Sequence, residues 1–150
     1  MTVLAAGSKA PAIPGVDFHD APLALFFYKV TCPTCQMAAP KVQGFEAGYP
    51  GRIVGIGQDP REKLSAFERE FGMTFPSLVE APPYDVSNAY GIEVVPTTFL
   101  VDGNGTIVET VESWDREGLN RLSKRLAALA GAEYTEISNP ADRLPVFRPG

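Results

Sequence analysis

Leu23-Ala24-Leu25-Phe26-Phe27-Tyr28-Lys29-Val30-Thr31-Cys32-Pro33-Thr34-Cys35 carries the chain's only two cysteines, with two residues between them. The run before Lys29 is apolar, rich in aromatics and of strand length, which predicts a buried strand. Residues 36–48 read as a helix, and Pro33 suits its first turn, where an N–H would lack a partner anyway. The first sulfur therefore stands at a helix N-terminus, where unpaired N–H groups and the positive end of the dipole favour thiolate over thiol. Cys35, about one turn further on, can close a disulfide with little backbone movement. The arrangement suits a redox dithiol.

Two other chemistries use the same spacing. Half of a zinc site would need two more ligands, and His19 is the only other residue among Cys and His. No metal site is expected on that count. Two inert, buried thiols are the second alternative, since free cysteine is among the most buried residue types. His19 itself, set between Asp17-Phe18 and Asp20, reads as a surface residue.

Downstream stands Val94-Val95-Pro96-Thr97-Thr98-Phe99-Leu100-Val101-Asp102-Gly103-Asn104-Gly105. It reads as a strand closed by a hairpin turn, with glycines where positive φ is needed. The two motifs, in this order, resemble the thioredoxin superfamily. The likeness is greatest to its TlpA-like branch, which includes the ResA-type reductases and neighbours the AhpC/TSA peroxiredoxins. It covers roughly residues 7–130.

The resemblance implies an α/β, thioredoxin-like fold with a central mixed β-sheet flanked by helices. It implies a cis-proline at Pro96 beside the catalytic Cys32 and Cys35. Val95 would pair its backbone with a bound substrate strand, and Thr31 and Thr97 would flank it. The implied activity is thiol–disulfide exchange, without a cofactor, on a disulfide- or dithiol-bearing protein. A thioredoxin system would supply or accept the electrons.

The chain departs from the pattern in places. Thr31 stands where thioredoxins usually have Trp, and Phe26 where many relatives carry Asp or Asn. ResA-like members hold an acid on the loop after the next strand, and Asp59 is the nearest match. It is the candidate proton shuttle, with capping of the helix near Pro60 as the alternative. Peroxiredoxins need Thr or Ser three residues before the peroxidatic cysteine, and Lys29 and Cys32 occupy those places. A peroxide reductase and a non-catalytic binding module remain as alternative functions.

At 150 residues the chain makes one domain with a sizeable core. A net charge of −5 with scattered basic residues argues against nucleic acid. No apolar run reaches transmembrane length. The first residues lack the basic start and long apolar region of a secretory signal, which leans towards the cytoplasm. The resembled branch is often exported, so a removed leader is the alternative. The oligomeric state is left open.

The periodicity predicts a strand over 52–57, a helix over 61–71 stopped by Gly72, and a short strand before Glu80. Asp85 is expected to cap a short helix ending at Gly91. Leu119, Leu122, Leu126 and Leu129 form one apolar stripe on the last helix. Residues 1–131, with a proline-rich N-terminal extension, are read as the thioredoxin-like domain. Residues 132–150 are read as an extended, proline-containing tail. Its apolar side chains, Ile137, Leu144, Val146 and Phe147, fit a strap over a groove near the cysteines. A disordered end fits the composition equally.

Overall fold

Side chains alternate across a strand, and along Leu23–Tyr28 (β1) this divides the core into two layers. Ala24, Phe26 and Tyr28 face one way, Leu25 and Phe27 the other, and all five are buried. The computed structural model describes residues 2–150. After β1 come α1 (Pro33–Gly48), β2 (Ile53–Gly57), α2 (Arg61–Phe71), β3 (Ser77–Val79) and α3 (Asp85–Tyr90). Then follow β4 (Thr97–Val101), β5 (Ile107–Glu112), β6 (Trp114–Asp115), α4 (Arg116–Ala130) and β7 (Phe147–Arg148). The main sheet runs β3-β2-β1-β4-β5. β1 is parallel to β2 and antiparallel to β4, with Phe26 opposite both Gly55 and Thr98. This is the mixed sheet of the thioredoxin-like fold.

The first layer packs Phe26 and Tyr28 against Val42 and Phe45 of α1, Leu64 and Phe67 of α2, and Leu119, Leu122 and Leu126 of α4. The second packs Leu25, Phe27, Ile56 and Phe99 against Tyr90 of α3 and against Ala10 and Ile13 of the N-terminal segment. Each valine, leucine, isoleucine and phenylalanine among them contributes about 1.5–3 kcal/mol by leaving water. Together the layers clamp β1, whose C-terminal end delivers the chain to the cysteines. Among the described residues no helix is long and apolar enough to cross a membrane.

Two local expectations need correction. Leu129 is exposed. At 3.6 residues per turn it lies about 80° around the helix from Leu119, while Ala130 lies only about 20° away. Ala130 accordingly takes the place against the core. Asp85 does not cap α3: the N-cap is Tyr84, in the left-handed region at φ 62° and without a side-chain cap bond. The buried Glu80 carboxylate serves the helix start instead, accepting from Ser87 N at 2.6 Å and Ser87 Oγ at 2.5 Å.

Residues 132–150 run back along α4, tied down at each step. Tyr49 Oη accepts from Thr135 N at 2.8 Å, and Ser123 Oγ donates to Thr135 O at 2.6 Å. A Cβ on Gly48 would collide with the Thr135 side chain, so this seat requires glycine. Asn120 Oδ1 accepts from Ile137 N at 2.8 Å, and Asn120 Nδ2 donates to Ser138 O at 2.8 Å. Arg116, almost wholly buried, reaches Ser138 Oγ, Asp142 Oδ1 and Leu144 O. Trp114 Nε1 donates to Pro145 O at 2.6 Å, and β7 pairs antiparallel with β6. Ile137 is buried and Leu144 packs against the core, whereas Val146 and Phe147 stay exposed.

Candidate active site

β1 ends at Tyr28, and Lys29-Val30-Thr31 turns the chain into α1. Cys32 is the N-cap of that helix, in extended backbone at φ −86°, and Pro33 opens its first turn. Helix N-caps normally offer an oxygen to the free N–H groups. Here the sulfur takes that place, and Cys32 Sγ accepts from Cys35 N at 3.1 Å. Cys32 is partly exposed, Cys35 is fully buried, and both are free thiols. Among the described residues no group of three or more His, Cys, Asp or Glu is placed to hold a metal ion.

The Val95–Pro96 bond is cis, and its turn meets the helix start. Cys32 Sγ donates to Val95 O at 3.4 Å. Pro96 is buried and Val95 partly exposed. Thr97 is fully buried, and its hydroxyl donates to Val94 O at 2.7 Å, so it braces the turn from beneath rather than facing a docked chain. Thr31 is exposed at the rim, and Lys29 is exposed at the strand end.

Burial is the main cause that pushes the Cys35 thiol well up from its ordinary range. The Cys32 side chain beside it and the charge of Asp59 act in the same direction. Asp59, partly buried, accepts from Val30 N at 2.9 Å through Oδ2, and so ties the loop after β2 to the loop that enters α1. It does not cap α2, whose N-cap is Pro60 without a side-chain cap bond. Gln36 Nε2 donates to Val30 O at 2.8 Å and steadies the same loop. Tyr28, the last residue of β1, is pushed up to about 12 by burial, against the bond its hydroxyl makes to Ser77.

Three contacts at the site were not foreseen from the sequence. Thr34 Oγ1, between the two cysteines, donates to Pro149 O at 2.9 Å. Gly150 N donates to Ser113 Oγ at 3.1 Å. Gly150 also lies against the Val95 carbonyl so closely that a Cβ on it would collide with that oxygen. Their one sequence signal is the apolar, proline-spaced end of the tail, which composition alone leaves equally readable as disorder.

A dithiol at the mouth of a helix, met by a proline turn at the end of a mixed sheet, is the arrangement that thioredoxin-like thiol–disulfide oxidoreductases share, and this chain is an enzyme of that class. It belongs to the AhpC/TSA family, which it matches over residues 12–110, well over half its length. Thiol-disulfide oxidoreductase ResA of Geobacillus thermodenitrificans is 29% identical over 125 residues, which cover 73% of this chain and 71% of that protein. A Mycobacterium tuberculosis protein named "Putative peroxiredoxin" is 31% identical over 133 residues, covering 71% of this chain and 84% of its own. Among solved structures, the thioredoxin domain of a thiol-disulfide oxidoreductase from Bacteroides vulgatus is similar with a TM-score of 0.69. At 24% identity, over 82% of this chain and 99% of that one, it shows the common fold.

Proposed function

We propose that the chain exchanges disulfides with a protein substrate through Cys32 and Cys35. The observation that carries this reading is the pair of contacts at Cys32 Sγ: the Cys35 N–H behind it and the Val95 carbonyl beside it. The N–H stabilises a sulfur anion, and the Val95–Pro96 turn offers backbone for an extended chain to pair with.

In the reducing direction, the Cys32 thiolate attacks one sulfur of the substrate disulfide. A mixed disulfide forms, and the other substrate sulfur leaves as thiolate and takes a proton. Cys35 then loses its proton and attacks the Cys32 sulfur. The second substrate thiol departs, and a Cys32–Cys35 disulfide remains. The substrate gains two electrons and two protons, both from the dithiol. Run backwards, the same steps oxidise a substrate dithiol. Because burial holds the proton on Cys35, its removal needs a base, and Asp59 is our candidate. Pro96 and Val95 would orient the substrate, with Thr31 at the rim and Thr97 bracing the turn.

A disulfide-bearing protein, and a thioredoxin system to exchange electrons with, are the partners this chemistry calls for. We place the exchange in the exported setting that the resemblance to ResA-type reductases implies, where protein disulfides persist. The test is exchange with a protein disulfide such as insulin. The parent should react and Cys32→Ser should not. Cys35→Ser should stop at a mixed disulfide.

The peroxiredoxin name of one relative favours a second reading, peroxide reduction at Cys32. Lys29 stands where that chemistry needs a hydroxyl three residues before the cysteine. Peroxide oxidation of Cys32 at the rate of an ordinary free thiol would dismiss it, and a rate thousands of times faster would establish it.

A further inference from the structure

We propose that residues 147–150 occupy, in the resting molecule, the groove in which a protein substrate docks beside Cys32, and that they must lift away before exchange begins. The proposal rests on the redox reading above and names the occupant of that same site.

The tail end touches each wall of the groove. On the helix side, Pro149 O accepts from Thr34 Oγ1 at 2.9 Å, and Thr34 is buried between the two cysteines. On the turn side, Gly150 lies against the Val95 carbonyl, the acceptor that also receives the Cys32 thiol at 3.4 Å. Below, Gly150 N donates to Ser113 Oγ, and Ser113 N donates to Pro96 O at 2.8 Å. The tail thus sits on the backbone that the docking turn would present to a substrate. It arrives as extended chain through the β6–β7 pairing, the form in which a substrate strand would lie.

The seat is specific, because only glycine at 150 avoids the Val95 oxygen. The hold is uneven. Ile137, Ser138 and Asp142 are sunk among α1 and α4 side chains, while Val146 and Phe147 are 53% and 55% exposed. The last residues can therefore detach while the rest stays anchored. Beyond Val95 a cleft lined by Lys29, Gln58, Ser87 and Val94 stays uncovered. A substrate can enter there and displace the tail step by step.

The test compares the full chain, a chain ending at Val146, and full-length Gly150→Val. Each is assayed for kcat/KM on insulin and on a small aromatic disulfide that needs no groove. A tail seated nine-tenths of the time lowers apparent substrate affinity about tenfold. Both variants should therefore react with insulin about tenfold faster and with the small disulfide nearly unchanged. A synthetic peptide of residues 144–150 should restore the slower insulin rate competitively. Unchanged or slower insulin exchange, in a variant that melts with the parent, overturns the proposal. Slower exchange would make the tail a docking platform instead. Gly150→Val keeps every anchor from Thr135 to Pro145, so the question stays answerable if the shortened chain does not fold. A full chain inert towards the small disulfide would instead overturn the redox reading itself.

Discussion

The backbone N–H of Cys35 points at the sulfur of Cys32 from 3.1 Å, so the resolving residue supports the nucleophile with its main chain while its own thiol lies buried. The asymmetry predicts which sulfur reacts. Alkylation of the reduced protein should label Cys32 at least about tenfold faster than Cys35, as the exposure of Cys32 and the burial that raises the Cys35 thiol dictate. Peptide mapping after brief treatment with iodoacetamide checks it. Equal labelling would contradict the assigned roles.

Asp59 holds the Val30 N–H and also stands near enough to Cys35 for its charge to oppose ionisation there. Asp59→Asn keeps an acceptor for Val30 but removes the base. If Asp59 takes the Cys35 proton, resolution of a preformed mixed disulfide should slow by about a hundredfold at neutral pH. The loss should shrink as the pH rises. A rate and pH profile identical to the parent would leave Asp59 a purely structural residue.

The raised Cys35 thiol also makes stability depend on pH. Its folded value lies above its unfolded value of about 9. Below pH 9 both states keep the proton and the full stability is present. Above it the unfolded chain ionises first, so stability should fall by about 1.4 kcal/mol per pH unit. Tyr28 and Tyr90, also raised by burial, act in the same direction above pH 10. Denaturant midpoints of the reduced protein at pH 8 and 10 should show the fall. Cys35→Ala should flatten it between pH 9 and 10.

At the acid end the tail is the sensitive part. A hydrogen bond from Ser138, the Leu144 N–H and the charge of Lys41 hold the Asp142 carboxyl well below its ordinary value, and Arg116 pairs with it at 3.2 Å. A depressed carboxyl stabilises the fold above its unfolded value, near 4, and that support is lost as pH falls below it. Trp114, the only tryptophan, is buried and bonded to Pro145 O, so its fluorescence reports the tail. Its emission should shift red below pH 4. Asp142→Asn should show the shifted emission already at neutral pH, and a spectrum unchanged by this substitution would count against the anchor.

Much of this was legible in the sequence because local chemistry and tertiary need agree. The apolar run 23–28, the Cys-x-x-Cys and the Asp102 turn each carry a local pattern that packing does not override. Glu80 was missed because its partner, Ser87, is met only after Pro82-Pro83-Tyr84 fold back, and no period records that. Arg116 does leave a signal in the sequence. A cation in the first turn of α4 opposes the helix dipole, and its reason is a set of partners between 138 and 144. The tail was ambiguous because its order comes from side chains of other elements, which composition cannot show.

The N-terminal segment has a use beyond filling the second core layer. Gly7 N donates to Ile107 O, Ile107 N to Ser8 O and Ala10 N to Gly105 O, so residues 7–10 run beside the start of β5, one of the two edge strands of the sheet. A bare strand edge is a template on which another molecule's strand can add, and repetition of that event makes aggregates. Along the start of β5 that template is already written over by the same chain, so keeping this edge from another molecule's strand falls to residues at the opposite end of the sequence from the tail.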